Sequence, residues 1–566
     1  MQSHQIILSG TDTSLLARVR SWFATGIPCA SDVRFALVAS LLWATFYNVR
    51  FWQNTFDAMW HPTLGTAGFI ASLFVLIVCA QAILLMLAPT RTIMRVAASV
   101  LFIIASLSAY FCSAYGAIMN KEMMRNVIET DTAEVGGLIS GDLLAHVLIL
   151  GVVPAVLVWF VRMPPLGLVR QLRQRALFIG GALVVCAAAV FAFSANYAVF
   201  FREHKPIRYT LSPSAPVTSM LEYGADEGRR HRNANRPLLN PAGNSHRVAA
   251  PGARPLVVFV VVGETARAAD FQLGGYERAT NPELGRIQNL AYFRDAKSCG
   301  TSTATSVPCM FSSFGRADFD VDEAERYTNL LDALSSAGLA VEWHDNNAGC
   351  KGVCARVPVV QYTPKTDPAL CPQSYCYDEV MFNGLAERLK NLKQDTVFVF
   401  HQIGSHGPAY SERYPPQFEI FKPACRSNRL ESCTAQEVRN AYDNTIAYTD
   451  HVLAQQIALL QSVSDRVDGV LLYASDHGES LGEQGVYLHG LPYAFAPATQ
   501  TEVPMLMWTT PGYAQRARLQ PGCLQGHARE QVSHDNLYHT VLGAAEVRNQ
   551  AYDAHLDLLA SCRQNE

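Results

Sequence analysis

Apolar positions fall in two patterns along the chain. Residues 1–200 hold long apolar runs, whereas beyond about residue 255 the runs are short, β-rich and alternate with helix-like segments. Five long runs approach the roughly 20 residues needed to cross a hydrocarbon core of about 30 Å. They lie at 34–52, 65–87, 95–119, 144–161 and 176–200, the first with soft ends because it contains Asn48 and several aromatics. The short runs lie at 255–262, 340–344, 396–401, 469–474 and 503–508, interleaved with helix-like stretches at 330–337, 377–393, 437–461 and 531–543. That alternation predicts an α/β domain with a mainly parallel central sheet, whose chemistry sits beyond the carboxyl ends of the strands. The expected organisation is therefore a five-helix transmembrane domain (1–200), a solvated connector (201–254) and a catalytic α/β domain (255–566). The connector carries a basic stretch at 228–232 and the turn Asn240-Pro241-Ala242-Gly243. A short interfacial helix is expected near 213–223, with contact to anionic headgroups as the sharper reading of its charge.

Charge divides the same way. Only 16% of the 566 residues are charged, and residues 1–200 hold 12 Lys/Arg and 8 Asp/Glu, leaving 73 charges for 201–566. A net charge of −3 gives no electrostatic case for nucleic-acid binding. Arg18 and Arg20 precede the first run, Arg91 and Arg95 stand between the second and third, and Arg162, Arg170, Arg173 and Arg175 stand between the fourth and fifth. The third-to-fourth connector is acid-rich, with Glu122, Glu129, Asp131, Glu134 and Asp142. The positive-inside rule places the N-terminus in the cytoplasm and, after five crossings, everything beyond residue 200 outside. No apolar core of a cleavable signal peptide follows a basic start in residues 1–33, so the first span is expected to stay as an anchor. Ionisable groups are scarce within the spans, which argues against a transport pathway.

Four cysteines fall in the membrane part (Cys29, Cys79, Cys112, Cys186) and ten beyond it. The ten form near pairs, Cys299/Cys309, Cys350/Cys354, Cys371/Cys376 and Cys425/Cys433, with Cys523 and Cys562 left to pair. Disulfides in an oxidising compartment agree with the orientation read from arginines. A thiolate zinc site is the rival, and it lacks histidines at finger-like spacing.

Four short runs end in ionisable clusters: Gly263-Glu264-Thr265-Ala266-Arg267, Glu342-Trp343-His344-Asp345-Asn346-Asn347, His401 through His406-Gly407, and Ser475-Asp476-His477-Gly478-Glu479-Ser480. Converging on one rim, they would supply carboxylates and imidazoles suited to catalytic zinc. Glu264, Asp476 and His477 make three candidate ligands with a position left open. Taken alone, Asp476-His477-Gly478 also reads as a turn with an exposed histidine. A hydroxyl-rich run between Cys299 and Cys309 offers a nucleophile if a base or metal activates it, and a helix beginning near Thr303 would add N–H groups facing an anion. By composition alone that run is a Ser/Thr-rich loop.

Together these motifs resemble the lipid A phosphoethanolamine transferases of Gram-negative inner membranes, including the mobile colistin-resistance enzymes, within the alkaline-phosphatase and sulfatase superfamily. The resemblance rests on Gly263-Glu264-Thr265-Ala266-Arg267, Gly274 with Tyr276-Glu277-Arg278, Cys299-Gly300-Thr301-Ser302-Thr303 through Pro308-Cys309-Met310, Gly404-Ser405-His406-Gly407-Pro408, and Asp476 through Glu483 with Tyr487-Leu488-His489-Gly490-Leu491-Pro492-Tyr493. It implies Glu264, Thr303, Asp476 and His477 around one zinc ion, with Thr303 as the nucleophile. It further implies His406 and His489 at a second zinc or the phosphoryl substrate, as acid and base, and Asn347 and Lys351 in the stretch that binds phosphoethanolamine. The cysteine spacing resembles the family's disulfide pattern. The implied reaction moves phosphoethanolamine from phosphatidylethanolamine through Thr303 to a lipid A phosphate and releases diacylglycerol. Both substrates are lipids, which gives a bilayer anchor a purpose, and a monomer is expected. Masking of lipid A phosphates would weaken binding of cationic polymyxins. A phosphoglycerol transferase, a transferase acting on another envelope glycan or protein, or a related phosphoesterase is the alternative. A sulfatase would need a Cys/Ser-x-Pro-x-Arg context, which Cys309-Met310-Phe311-Ser312-Ser313 lacks.

Overall fold

A computed structural model describes residues 27–28, 31–129, 135, 138–233, 237–248, 254–372 and 375–564. Arg18, Arg20, Cys29, Asp131 and Glu134, used above for orientation and cysteine pairing, lie outside the described residues. The chain forms two compact units. One comprises the stretch up to Ser113 with Gly141–Thr218; the other comprises Ala114–Ser140 with Ser219–Glu566. The segment between the third and fourth apolar runs thus belongs with the second unit, and the connector divides at Thr218.

In the first unit, α1 (Asp32–Phe46) and α2 (Val49–Met59) occupy the first apolar run. They are separate helices because the chain breaks at Tyr47–Asn48. The Asn48 side chain closes the break: Nδ2 donates to Trp43 O and Ser212 O, both at 2.7 Å, and Oδ1 accepts from the Ser212 N–H. At about 1.5 Å per residue, the 15-residue α1 spans only about 22 Å. Four helices among the described residues are long and apolar enough to cross a bilayer: α3 (Leu64–Met86), α4 (Arg91–Tyr115), the Gly141–Phe160 helix and the Leu168–Ala192 helix. The expected five spans are therefore, among the described residues, four long helices and, in place of the soft-ended first span, one broken element. The Gly141–Phe160 helix widens to π geometry over Val147–Val152, next to Pro154. Proline has no N–H for Leu150 O, and Tyr47 donates its hydroxyl there instead. Asp32, 2% exposed, accepts from Arg91, Gln171 and Arg175 and ties the ends of α1, α4 and the Leu168–Ala192 helix together.

Between α4 and the Gly141–Phe160 helix lies α5 (Lys121–Glu129), part of the second unit, opened by Asn120 Oδ1 accepting the Met123 N–H at 2.9 Å. Much of the supposed connector is helical: Ser214–Asn233 forms a 20-residue helix, longer than the expected 213–223.

The core of the second unit is a seven-stranded mixed sheet. Its strands are β1 (Leu256–Gly263), β2 (Ala291–Phe293), β3 (Ala340–Asp345), β4 (Val359–Gln361), β5 (Thr396–His401), β6 (Asp468–Ser475) and β7 (Met505–Thr509), in spatial order β2-β7-β6-β1-β5-β3-β4. β6, β1, β5, β3 and β4 run parallel; β7 pairs antiparallel with β6, and β2 antiparallel with β7, so β7 alone of the seven opposes the rest. Apolar clusters cover both faces, with Val258, Val260 and Val262 on one and Val257, Phe259 and Val261 on the other. Burial on two sides explains why β1 and β6 are unbroken apolar runs rather than alternating ones. The 28-residue helix Ala435–Ser462 packs across one face, its start fixed by a Thr434/Glu437 capping box.

Candidate metal and phosphoryl-transfer site

β1 and β6 are paired in register from Asp468↔Leu256 to Ser475↔Gly263, so Glu264 and Asp476 leave the sheet side by side. Thr265 turns the chain at φ 50°, and its N–H donates to Asp476 Oδ1 at 3.2 Å. The His477 N–H reaches the same oxygen at 2.7 Å. Asp476 Oδ2 is buried and accepts no hydrogen bond. His477 Nδ1 donates to Gly478 O at 2.9 Å, which fixes the proton there and leaves the Nε2 lone pair directed at the carboxylates. Nε2 stands 3.3 Å from Asp476 Oδ2 and 3.5 Å from Glu264 Oε1. Burial, reinforced by the neighbouring His489 and His406, holds His477 well below its usual pKa and hence neutral.

Ligand atoms of Glu264, Asp476 and His477 all lie within 4.8 Å of one another, and the three side chains are at most 1% exposed. Two carboxylates beside a neutral imidazole, with one buried oxygen lacking any donor, form a donor set that fits a divalent cation such as zinc. Burial raises the Asp476 pKa; a bound cation would offset that cost.

Thr303 is the first residue of the Thr303–Met310 helix, preceded by Ser302 in extended geometry. Its Oγ1 donates to Glu264 Oε2 at 3.1 Å and lies 3.4 Å from His477 Nε2. The first N–H groups of a helix have no intrahelical acceptor, so this hydroxyl stands beside donors suited to an anion. Cys299–Cys309 bridges the two ends of the hydroxyl run. Cys350–Cys354, Cys371–Cys376, Cys425–Cys433 and Cys523–Cys562 are also bonded.

Thr303, Asn347, Lys351, His406 and His489 line one cavity, together with Asn126 and Glu129 of α5. A second cavity, of about 300 Å³, adjoins it and shares Glu129, Ala304, Ala348 and Lys351. His406 and His489 have ring centroids 5.6 Å apart, and His489 lies 4.3 Å from His477. Lys351, at φ 48°, donates to Ala348 O at 3.0 Å and Glu129 O at 3.3 Å. Asn347 also supports the carboxylate cluster, because its Nδ2 donates to Glu264 Oε2 at 2.7 Å and Gln402 O at 2.9 Å.

Several supporting groups had no assigned part in the sequence reading. Glu479, fully buried, holds His489 Nδ1 at 2.9 Å and accepts from Tyr410 Oη at 2.9 Å. It was visible within Asp476-His477-Gly478-Glu479, but its direction was not. Asp378 accepts the Ile403 and Gly404 N–H groups and thereby shapes the turn carrying His406; burial pushes its pKa up to about 6. Asn126 and Glu129 come from a segment more than 170 residues before Thr303, with no local signal of their place in the cavity.

Residues 256–547 match the sulfatase family model, and residues 77–227 match the model for phosphoethanolamine transferase EptA/EptB. The chain is 38% identical over 543 residues to phosphoethanolamine transferase EptA of Escherichia coli strain K12, covering 93% of this chain and 97% of that one. It is 38% identical over 488 residues to phosphatidylethanolamine transferase Mcr-1 of Escherichia coli, covering 84% and 89%. The structure is similar to the integral membrane lipooligosaccharide phosphoethanolamine transferase A of Neisseria meningitidis, with TM-score 0.90 and 32% identity, covering 95% of this chain and 100% of that chain. On sequence and fold together, this chain belongs to the phosphoethanolamine transferases of the EptA and Mcr type, membrane enzymes of the alkaline-phosphatase and sulfatase superfamily.

Proposed function

We propose that this protein transfers phosphoethanolamine from phosphatidylethanolamine to a phosphate of lipid A through a phosphoethanolamine-threonine at Thr303. The observation that carries the reading is the Thr303 hydroxyl, placed at once against Glu264, His477 and a helix N-terminus. Glu264, Asp476 and His477, with Thr303 Oγ1 alongside, would hold zinc. Bound there, the ion supplies Lewis acidity that lowers the proton affinity of the hydroxyl and offsets negative charge on phosphorus.

The chain's own groups account for the remaining steps. In the first displacement, Thr303 Oγ1 bonds to phosphorus, the bond from phosphorus to the diacylglycerol oxygen breaks, and that oxygen takes a proton. In the second, an oxygen of the acceptor phosphate attacks phosphorus and Thr303 Oγ1 is released. His406 and His489, beside Thr303 in one cavity, deliver and remove these protons. Lys351 supplies positive charge for the phosphoryl group, and the adjoining cavity of about 300 Å³ gives the donor room. Every group named comes from one chain, so a monomer suffices.

The acceptor assignment is supported by the lipooligosaccharide-modifying relative. The basic residues flanking the apolar helices support an inner-membrane enzyme with a cytoplasmic N-terminus and a periplasmic catalytic domain over 255–566. Mass spectrometry of lipid A from cells expressing the wild type or Thr303→Ala tests the reading. A gain of one phosphoethanolamine group with the wild type only is expected. An unmodified lipid A alongside a modified glycan or protein would refute the acceptor, and normal turnover by Thr303→Ala would refute the nucleophile.

A further inference from the structure

Helix α5 meets the nucleophile's surroundings on two faces. Asn126 and Met123 abut the turn after His489, where a Cβ on Gly490 (φ 88°) would lie 3.1 Å from Asn126 Nδ2 and 3.4 Å from Met123 Cε. The C-terminal end of α5 receives Lys351, through Nζ to Glu129 O. Lys121, Arg125 and Glu129, spaced i, i+4 and i+8, share another face. From that face Lys121 Nζ pairs with Asp322 Oδ2 at 2.8 Å and with Asp226 Oδ2 at 2.8 Å, while the buried Arg125 guanidinium pairs with Asp322 Oδ1. Asp322 therefore receives both cations of the helix. It belongs to the stretch between the Thr303–Met310 and Leu330–Ser336 helices, so the segment following the nucleophile helix also clamps α5.

We infer that Asp322 is a positioning residue for the donor site: by fixing Lys121 and Arg125 it sets the distance of Asn126 and Glu129 from Thr303 and so governs how tightly the phosphoethanolamine headgroup is held. The inference rests on the donor assignment proposed above. A largely buried ion pair frequently adds little net stability, because desolvating its charges offsets their attraction, so its value here lies in geometry. Without Asp322, Lys121 keeps Asp226 but Arg125 loses this carboxylate, so the Asn126–Glu129 end of α5 shifts while Glu264, Asp476, His477 and Thr303 keep their own contacts. A weakness of that kind appears in KM for the donor and spares kcat.

The experiment uses the full chain in detergent with fluorescent phosphatidylethanolamine, measuring diacylglycerol release. Asp322→Asn is expected to raise KM about five- to tenfold with kcat within about twofold of wild type, and Asp322→Glu, which keeps the charge, to restore KM. The double variant Arg125→Met/Asp322→Asn removes the buried charges together and gives the same KM rise even if Asp322→Asn accumulates poorly. Hydrogen exchange over residues 121–129 should quicken in the Asn variant and not in the Glu variant. An unchanged KM, a loss confined to kcat, or unchanged exchange in 121–129 overturns the inference. Wild-type protein that releases no diacylglycerol would instead refute the donor assignment, and the exchange measurement would still decide the role of Asp322.

Discussion

Glu479→Gln isolates what one buried carboxylate contributes to the site. Glu479 is 0% exposed, and its two oxygens are committed in opposite directions: Oε2 to His489 Nδ1 and Oε1 to the Tyr410 hydroxyl, each at 2.9 Å. Burial and the adjacent Glu479 carboxylate raise the Tyr410 pKa far above its usual value, so Tyr410 is a permanent donor. The carboxylate therefore fixes the His489 proton on Nδ1, the tautomer that the proposed proton transfer through Nε2 requires. Glutamine preserves the shape but cannot accept from both sides. If its oxygen takes the Tyr410 hydroxyl, its NH2 faces Nδ1 and drives the imidazole proton to Nε2, which then cannot act as base. Losing a hydrogen bond to a charged group costs about 1.5–3 kcal/mol, corresponding to a turnover about 10- to 150-fold slower. Release of diacylglycerol from fluorescent phosphatidylethanolamine, with melting temperature as the folding control, reads the effect. A folded Glu479→Gln enzyme within twofold of wild type would refute the reasoning and remove His489 from proton transfer.

Other outcomes follow from neighbouring contacts. Thr303→Ala should lower turnover by about 10³-fold or more while Thr303→Ser retains part of it, measured in the same assay; equal rates in the two would exclude attack by this hydroxyl. Chelation should abolish activity and zinc restore it, and zinc at about 1,000 times its Kd should add about 4 kcal/mol of stability by linkage; a calorimetric scan of Asp476→Asn should lack that rise. Gly404→Ala should cost more than about 1 kcal/mol and weaken zinc binding, because Gly404 has φ 49° and an added Cβ would lie 2.7 Å from Glu264 O. Asp378 has a folded pKa of about 6, above its unfolded value near 4, so its protonation favours the folded state at the acid end and that contribution is lost as pH rises through about 6. The difference in melting temperature between wild type and Asp378→Asn should therefore change between pH 4 and 6 and be flat above 7.

Three parallel strands were legible because burial on both faces makes each a largely apolar run: β5 occupies 396–401 as read, and β1 and β6 differ from expectation by one residue at either end, whereas the exposed three-residue β4 was not expected. Strand direction was not legible. The run at 503–508 has the composition of a parallel strand, yet β7 lies antiparallel beside β6, and its other edge pairs with the three-residue β2. Three residues are too few for a periodic signal to emerge. In the membrane unit, length and hydropathy located the apolar runs but not the break in the first one. That break is stabilised by Asn48 bonding to Ser212, 164 positions away. A polar residue in an apolar run marks a possible break; its partner decides whether one forms.

The site divides along the same line. Glu264, Asp476 and His477 could be named because Glu264 and Asp476 directly follow recognisable strands, with His477 next in the chain, and because their neighbours are small or polar. Their supporting groups face the opposite condition. Asn347 reaches Glu264 across 83 positions, and Asp322 reaches Arg125 across 197. Such pairings leave no mark in local periodicity: Asn347 stood in a strand-end cluster with no sign of its link to Glu264, and Asp322 alone reads as a solvated polar residue. Glu342 shows the converse: it stands in a strand-end cluster like the candidate ligands but pairs with Arg388, 44% exposed, at the far side of β3 from Asp345. Within a strand, alternate side chains point to opposite faces, so Glu342 is separated from the site by register. Asp345, at the strand's end, turns instead to accept the Asn347 N–H and the Trp343 indole N–H. Proximity to a strand terminus thus nominates a residue for chemistry, while register and the contacts made by its last carboxylate or imidazole determine whether it reaches the rim.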